Sequence, residues 1–354
     1  MQKAIQTPVK AVRVLIIDDS PLFRSILERM LAGDSDIEVV GTASDPVEAK
    51  DLIVAHKPNV ITLDVEMPRM DGITFLKRLM RQRPTPVVMI SSYTQENSLR
   101  TLEALDAGAV DFVAKPPPDG NVDLEELRRE VLLKIKAAAQ VRMRPPITLS
   151  SPRKLPTVAH SKVQEKVIAI GASTGGPKAI QDLLMALPPH ICGIVIAQHM
   201  PPRFTQTFAE RMNALLPLEA KEAQPGDRIV KGRVLVAPGD KHMEVHRDAD
   251  GYYVRINDNP PIKLQRPSVD LLFHSVARSA GPNAIGILLT GMGDDGAQGL
   301  LAMKQAGAFT IAQDEASSVV FGMPKAAITL GAAEMIASLE DIPGVLLANL
   351  ATEC

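Results

Sequence analysis

The feature that most constrains this 354-residue chain is an apolar run that leads through a glycine-rich turn into a helix-like pattern. Residues 167–170 are Val, Ile, Ala and Ile, residues 171–176 are Gly-Ala-Ser-Thr-Gly-Gly, and residues 179–187 carry apolar side chains at helical spacing. A strand that turns directly into a helix is the repeating unit of parallel α/β sheets. The sequence therefore predicts an α/β fold with a functional turn at this point.

The turn has two chemical interpretations. Gly171, Ser173 and Gly175 have the G-x-S-x-G spacing of a nucleophile elbow, in which glycines allow a sharp turn that presents the serine hydroxyl. The same turn would also suit a phosphate bound at the N-terminus of the following helix. The turn by itself leaves both interpretations open.

Polar residues follow two later apolar runs in the same half of the chain. The run 193–197 ends in Gln198 and His199, and the run 284–289 ends in a loop that contains Asp294 and Asp295. Because the carboxyl ends of parallel strands meet at one edge, Ser173, His199 and one aspartate are predicted to lie together as in a Ser-His-Asp triad. Spacing does not choose between the two aspartates, and a single histidine in such a place is usually an ordinary loop residue.

A dinucleotide site is the main competitor of the nucleophile. It requires G-x-G-x-x-G, but Ser173 occupies the place of the second glycine, and the run 193–198 has no acidic residue to bind a ribose. Both observations favour the nucleophile. His242 and His246 have the i, i+4 spacing of a zinc pair, but they lie in a hairpin-like stretch and are interpreted as non-ligands.

The first part of the chain repeats the pattern of apolar runs with polar ends. Four such runs end in Asp18 and Asp19, in Asp64, in Ser91 and in Lys115. Five polar side chains at successive strand ends converge on one crevice of a parallel sheet. Three acids, a hydroxyl and a lysine can bind Mg²⁺ and hold a phosphoryl group on one carboxylate.

Length and charge predict how the chain is divided. At this length two domains are expected, and we place them at residues 11–140 and 164–350, joined by a linker at 141–163 that is rich in Pro, Ser and basic residues. The net charge is −3 for residues 1–140, +4 for 141–165 and −3 for 166–354, which argues against nucleic acid as the main partner. The linker is either a flexible tether or a basic segment that docks on an acidic surface.

The apolar runs and the cysteines of the sequence predict the cellular compartment. No apolar run approaches the roughly 20 residues that cross a bilayer, so we expect no membrane insertion and a cytoplasmic protein. The two cysteines, Cys192 and Cys354, do not form a disulfide framework.

The first block resembles the receiver domain of two-component response regulators, a flavodoxin-like fold, at the strand-end residues named above. The resemblance implies that Asp64 accepts phosphate from a chemotaxis histidine kinase and that Lys115-Pro116 is a cis bond. It also implies a Mg²⁺ site formed by Asp18, Asp19, Asp64 and the Glu66 carbonyl. A conformational switch is implied at Ser91, Phe112 and Lys115.

The second block resembles the catalytic domain of the chemotaxis protein-glutamate methylesterases, a Rossmann-like parallel-sheet domain, at residues 171–177, 198–201 and 289–296, with further motifs at 265–270 and 321–324. The resemblance implies that Ser173 is the nucleophile, His199 the base and Asp295 the orienting acid. It also implies that the backbone amides of Thr174 and Met292 bind the oxyanion. The family often has Asn where this chain has Asp294, so a second acid is expected to perturb the triad modestly.

Together, the two resemblances imply phosphorylation-activated hydrolysis of glutamyl γ-methyl esters on the cytoplasmic domains of chemoreceptors, giving sensory adaptation in chemotaxis, with glutamine deamidation possible at the same site. The resemblances also imply that the receiver uses Mg²⁺ and that the esterase site uses no cofactor. The unphosphorylated receiver is expected to pack against the face that carries Ser173. Two alternatives keep the receiver: a binding module with a degenerate catalytic site, or a nucleotide-binding output domain.

Overall fold

The computed structural model describes residues 11–67, 69–92, 94–116, 123–141, 143 and 166–352. The chain divides into two compact units. Most of the predicted linker and Cys354 lie outside the described residues. Among the helices of the described ranges, none is both long and apolar enough to cross a membrane.

The first unit is a five-stranded parallel sheet whose strands alternate with helices. The strand order is β2-β1-β3-β4-β5, the flavodoxin-like order in which the direction of strand addition reverses, with the switch point between β1 and β3. In chain order, the elements of residues 12–139 are β1 (Val12–Ile17), α1 (Pro21–Ala32), β2 (Ile37–Ala43), α2 (Pro46–His56), β3 (Val60–Asp64), α3 (Gly72–Gln82), β4 (Val87–Ser92), α4 (Gln95–Asp106), β5 (Asp111–Lys115) and α5 (Leu124–Ala139).

Local sequence explains where the first helices begin. Ser20 caps α1 by accepting a hydrogen bond from the Phe23 amide, and Pro21 occupies the first turn, where its missing N–H is not needed. Asp45 and Asp71 cap α2 and α3 in the same way. These caps end the strand-to-helix loops abruptly, so the acids that follow β1 and β3 stay at the sheet edge.

The second unit contains a seven-stranded parallel sheet and a two-stranded antiparallel hairpin. The sheet order is β14-β13-β12-β6-β7-β9-β8, with the hairpin formed by β10 and β11. Its elements are β6 (Val167–Ala172), α6 (Gly176–Met185), β7 (Gly193–Gln198), α7 (Phe204–Leu215), β8 (Glu219–Glu222), β9 (Arg233–Val236), β10 (His242–Asp248), β11 (Gly251–Asn257), α8 (Val269–Ala280), β12 (Ala284–Leu288), α9 (Ala297–Gln305), β13 (Phe309–Gln313), α10 (Met323–Thr329), β14 (Met335–Ala337) and α11 (Ile342–Thr352).

The three central strands β6, β7 and β12 are buried along their whole length, as expected for a parallel sheet covered on both faces. Ala172 pairs with Gln198 across β6 and β7, and Gly171 pairs with Leu288 across β6 and β12. The residues that follow these three strands therefore meet at one edge, as the sequence predicts.

Two details differ from the sequence-based expectations. Gly171 lies inside β6, where a Cβ atom would come within 2.1 Å of the Val269 side chain, so this glycine is required by packing against α8. The left-handed backbone of the turn is at Gly175, with φ of 76°. The prediction of a cis Lys115-Pro116 bond is wrong. Within the described ranges, the cis peptide bond is Arg266-Pro267. Because the two isomers of an X-Pro bond differ by only about 0.5–1 kcal/mol, local sequence does not decide between them.

Candidate functional sites

Ser173 lies at the first position beyond β6. Its amide donates a hydrogen bond to the Thr290 carbonyl at 3.0 Å, and its carbonyl accepts one from the Gly176 amide at 2.7 Å, which closes the turn. The residue is half-buried, and its hydroxyl makes no hydrogen bond to any residue that the structure describes. The turn thus holds the backbone on both sides while leaving the hydroxyl available.

His199 occupies the matching position on the neighbouring strand. The ladder between β6 and β7 ends at Ala172 and Gln198, and the His199 amide donates to the Ala172 carbonyl at 3.2 Å. Ser173 and His199 are therefore adjacent residues at the same sheet edge, although 26 positions separate them in the chain. Their proximity follows from register and does not depend on loop conformation.

The imidazole of His199 faces Asp295. Its Nε2 atom lies 2.8 Å from the Asp295 Oδ2 atom, and both side chains are almost fully buried. Within the described ranges, Nδ1 has no hydrogen-bond partner, so this is the nitrogen left for a serine hydroxyl. In the trypsin-type triad the two nitrogens have the opposite roles, with Nδ1 on the acid and Nε2 on the serine.

The start of α8 surrounds the Asp295 carboxylate with donors. It accepts hydrogen bonds from the Ser268 hydroxyl at 3.0 Å, the Val269 amide at 2.7 Å and the Asp270 amide at 3.0 Å. Burial raises the pKa of Asp295, but the hydrogen bond and charge of His199 and the two amides outweigh it, so the net pKa is lowered. The carboxylate is therefore held ionised and fixed in orientation.

Asp294 has different surroundings. Its side chain is 66% exposed, and its Oδ1 atom lies 3.2 Å from the ammonium group of Lys263, which is also 3.0 Å from Asp270. Lys263 thus offsets the charge of this second acid, which the sequence predicts to perturb the triad modestly. The two consecutive aspartates therefore lie in different environments: Asp295 faces His199, and Asp294 faces solvent.

The loop after β12 lies against the Ser173 turn. A Cβ atom on Gly291 would come within 2.8 Å of the Ser173 Cβ atom, so only glycine permits this approach. The half-buried Met292 amide donates to no acceptor in the described part of the chain. Thr174 is buried in the turn, and its carbonyl accepts a hydrogen bond from the Thr290 hydroxyl at 3.0 Å. The two expected oxyanion donors therefore lie on segments that contact each other beside Ser173.

Several supporting residues could not be identified from spacing. Ser268 belongs to a motif that carried no role in the sequence analysis, although a serine before an apolar helical pattern is a cap signal. His242, interpreted as a non-ligand, is fully buried, and its Nδ1 atom accepts from the Ser268 amide at 3.2 Å while Nε2 lies 3.1 Å from the Pro260 carbonyl. It therefore supports the segment that holds Asp295. His246 lies on the hairpin, with its ring centroid 5.8 Å from that of Tyr253.

The first unit forms a second site at the ends of β1, β3 and β5. Ligand oxygens of Asp18, Asp19 and Asp64 all lie within 4.8 Å of one another. The Lys115 ammonium group lies 2.6 Å from Asp64 Oδ2 and 2.7 Å from Asp18 Oδ2. Asp18 and Asp64 are buried, whereas Asp19 is exposed. The four predicted charged residues are thus brought together.

The donor set of this site fits a divalent cation. Among the described residues, the buried Asp18 Oδ2 atom has the Lys115 ammonium group as its ion-pair partner at 2.7 Å and accepts no other hydrogen bond. Burial and the Asp18 carboxylate raise the pKa of Asp64 to about 6, although Lys115 acts in the opposite direction. One lysine therefore does not compensate three carboxylates, and oxygen ligands with excess negative charge suit Mg²⁺.

The remaining predicted receiver residues lie around this cluster. The Glu66 amide donates to Asp64 Oδ1 at 3.3 Å, and Ser91 is fully buried near the end of β4. Phe112 is also buried, with the Lys134 ammonium group 4.9 Å from its ring centroid and bonded to its carbonyl. Lys134 is a contact that the sequence did not reveal. The aromatic residue at the expected switch position thus faces the interior.

Family models match both parts of the chain. A family model described as CheB methylesterase matches residues 168–346, and one described as response regulator receiver domain matches residues 14–127. The chain belongs to the CheB methylesterase family. It combines the catalytic domain of that enzyme family with a receiver domain, as the resemblances indicated.

Relatives at 50% identity match nearly the whole chain. A protein-glutamate methylesterase/protein-glutamine glutaminase of Geobacter metallireducens is 50% identical over 341 residues, covering 94% of both chains. The protein of the same name from Salmonella typhimurium is 50% identical over 345 residues, covering 96% of this chain and 97% of its own. The crystal structure of the Thermotoga maritima CheB methylesterase catalytic domain is 35% identical and covers 52% of this chain and 98% of its own, with a TM-score of 0.51. The predicted α/β fold class is confirmed.

Proposed function

We propose that this protein hydrolyses glutamyl γ-methyl esters on the cytoplasmic domains of chemoreceptors, and that phosphorylation of its receiver domain activates it. The observation that carries the proposal is the contact of 2.8 Å between His199 and Asp295 at the strand end next to Ser173. The relatives' names, which pair methylesterase with glutaminase, support the reaction class. The protein acts in the cytoplasm during sensory adaptation.

The first step is acyl transfer to Ser173. The Ser173 Oγ atom attacks the ester carbonyl carbon while His199 Nδ1 takes the hydroxyl proton. Asp295 keeps the proton on Nε2 and stabilises the imidazolium that forms. The tetrahedral intermediate then collapses as the methoxy oxygen takes the proton from Nδ1 and leaves as methanol.

Negative charge develops on the former carbonyl oxygen during this step. The amides of Met292 and Thr174 are proposed to bind that oxyanion, because both lie beside Ser173 and backbone N–H groups are preorganised donors. The segment of Met292 is held by its neighbours, since the Gly322 and Met323 amides both donate to the Gly291 carbonyl. No cofactor is needed for this chemistry.

The second step returns the enzyme to its starting state. Water attacks the acyl-enzyme while His199 Nδ1 takes one of its protons, and that proton passes to Ser173 Oγ as the bond to the acyl carbon breaks. The glutamic acid side chain that is released gives its remaining proton to solvent. A glutamine side chain would follow the same path with ammonia as the leaving group. Deamidation therefore uses the same residues, and the leaving group alone differs.

In the receiver, Asp64 is proposed to accept a phosphoryl group from a chemotaxis histidine kinase. Asp18, Asp19, Asp64 and the Glu66 carbonyl would hold Mg²⁺, which when bound offsets the negative charge of the phosphoryl group and the acids. Lys115 is already within 2.6 Å of Asp64 and would contact a phosphoryl oxygen. We propose that Ser91 and Phe112 complete the switch.

The regulatory proposal is that the unphosphorylated receiver, residues 11–140, restricts access to Ser173 in the catalytic domain, residues 164–350. Phosphorylation would shift the population toward an accessible state. A fragment that begins near Lys166 should then hydrolyse methylated receptor faster than the unphosphorylated full-length protein. Equal rates would remove the occlusion mechanism while leaving the esterase assignment intact.

The decisive test of the chemistry is methanol release from methylated receptor membranes by wild type and Ser173→Ala, each with and without a small-molecule phosphodonor. Wild type should release methanol, faster with the phosphodonor, and Ser173→Ala should release none while Asp64 is still phosphorylated. Asp64→Asn should keep the basal rate and lose the stimulation. Hydrolysis retained by Ser173→Ala would exclude Ser173 as nucleophile.

A further inference from the structure

Gln198 is the last residue of β7 and precedes the proposed base. Its side chain is buried, with 2% of the residue exposed, and its Nε2 atom donates to the Ser173 carbonyl at 3.0 Å and to the His199 carbonyl at 3.1 Å. One carboxamide thus connects the main chain of the two residues that exchange the proton. Both hydrogens of the amide nitrogen are used, and a carboxamide is among the few buried groups that supply two donors from one atom.

The other end of the same carboxamide shows that it is not retained for packing. Gln198 Oε1 is buried and accepts no hydrogen bond from the described residues. A Cβ atom on Gly176 would lie 2.0 Å from it, so the space beside the oxygen is filled by the start of α6. Burying an unsatisfied carbonyl oxygen is unfavourable. An apolar side chain would fill this place without that penalty, so the two donated hydrogen bonds account for the glutamine.

The orientation of the carboxamide is determined by its surroundings. If oxygen and nitrogen were exchanged, the oxygen would face two carbonyl oxygens and no donor. The β6–β7 ladder ends one residue earlier, at the hydrogen bond from the His199 amide to the Ala172 carbonyl. Gln198 therefore adds a constraint beyond the ladder, at the two residues whose side chains react.

We propose that Gln198 is a positioning residue that fixes the separation between the Ser173 hydroxyl and His199 Nδ1. The proposal rests on the function proposed above. Proton transfer requires hydrogen-bond distance between these two atoms, and a displacement of about 1 Å can reduce the rate about 100-fold. Gln198 itself touches neither substrate nor proton.

The test compares Gln198→Met and Gln198→Glu with wild type in the full-length, phosphodonor-activated protein. Both variants should lower kcat for methanol release about 10- to 100-fold with KM changed less than about 3-fold, because alignment and not substrate binding is lost. Phosphonylation of Ser173 by a serine-directed phosphonyl fluoride, with fluoride as the leaving group, should slow in parallel. Gln181→Met is the matched control, since Gln181 is also a buried glutamine but lies in α6, and it should keep wild-type kcat.

The glutamate variant separates positioning from a general packing defect. A protonated carboxyl regains one donor toward the two carbonyls, whereas an ionised one repels them. The ratio of wild-type to Gln198→Glu kcat should therefore fall as the pH is lowered from about 7.5 to about 5.5, while the ratio for Gln198→Met stays constant. The pH dependence of kcat is compared within one variant, so the result remains valid even if that variant has a lower Tm than wild type.

Three outcomes overturn the proposal: wild-type kcat in Gln198→Met, an equal loss in Gln181→Met, or equal pH dependence of the two Gln198 variants. The proposed function fails separately, if Ser173→Ala retains hydrolysis. An inactive Ser173→Ala together with a fully active Gln198→Met would reject the positioning role alone.

Discussion

His199 Nε2 and Asp295 Oδ2 lie 2.8 Å apart, and the same carboxylate accepts two backbone amides and a hydroxyl at the start of α8. A carboxylate at a helix N-terminus is favoured by the free amides and by the helix dipole. Asp295 thus connects the proposed base to a rigid helix start, and orientation of the imidazole depends on a segment that lies far away in sequence.

Replacing Asp295 by Asn tests this connection. An amide supplies one acceptor where the site has four donors, so the variant should have a lower Tm and an imidazole that no longer keeps its proton on Nε2. By comparison with the trypsin-type triad, kcat for methanol release should fall about 10²- to 10⁴-fold.

Asp294→Asn is the matched control for that variant, because the neighbouring carboxylate is 66% exposed and paired with Lys263. Exposed ion pairs contribute about 0–1 kcal/mol, so we expect its Tm and kcat to stay close to those of wild type. Steady-state assays and thermal melts of both variants check the pair. The assignment of Asp295 would be wrong if the two variants lost activity equally.

Thr290 connects the Ser173 turn to two other segments and offers a second test. Its hydroxyl lies 3.0 Å from the Thr174 carbonyl and accepts the Val320 amide at 2.9 Å, all in buried surroundings. Thr290→Val keeps the shape and leaves these groups without a partner, so the free energy of unfolding should fall by about 1–3 kcal/mol. Thr290→Ser keeps the hydroxyl and should lose less. Equal Tm values for the two variants in thermal denaturation would show that the hydroxyl is unimportant.

The sequence predicts the strand ends well and the supporting contacts poorly. Ser173 and His199 are predictable because parallel register alone makes them neighbours, and the same reasoning applies to Asp18 and Asp64 across β1 and β3. By contrast, Ser268 reaches Asp295 only because α8 begins beside the β12 loop. Such contacts depend on how a helix packs across a sheet, and residue spacing in the sequence does not predict that packing.

The choice between adjacent residues and the rotation of side chains are also decided by packing. Asp294 and Asp295 have the same chemistry and differ only in the direction that the loop gives them. Likewise, the sequence does not show that Nε2 of His199, and not Nδ1, faces the acid. The first feature depends on backbone direction within a turn and the second on rotation of the His199 ring, and local sequence determines both only weakly.

Cys192 provides a test of burial in the second unit. The residue is 1% exposed, and burial raises the pKa of its thiol to about 12. Since the thiolate is the reactive form, we expect no alkylation by iodoacetamide in the folded protein near pH 8 and complete alkylation in denaturant. Mass spectrometry of a Cys354→Ser variant isolates the signal of Cys192. Rapid labelling of the native variant would contradict the packing of this part of the sheet.

Asp64 links stability of the receiver to pH. Burial and the Asp18 carboxylate raise its folded pKa to about 6, above an unfolded value near 3.9. The protonated form therefore favours folding below about pH 4, and this advantage is lost as pH rises through about 6. Asp64→Asn removes the buried charge, so in chelator at about pH 7.5 it should stabilise the receiver by about 1–3 kcal/mol, with little effect at about pH 4.

Mg²⁺ provides the counter-test of that prediction. A bound cation stabilises the ionised acids of the folded state, so adding Mg²⁺ at about pH 7.5 should raise the Tm of wild type more than that of Asp64→Asn. The exposed neighbour allows a matched variant, and Asp19→Asn in chelator should give a smaller stabilisation than Asp64→Asn because less charge is removed from the interior. Thermal melts of the receiver transition measure both effects. A lower Tm for Asp64→Asn than for wild type in chelator would show that the Lys115 ion pair outweighs burial of the Asp64 charge.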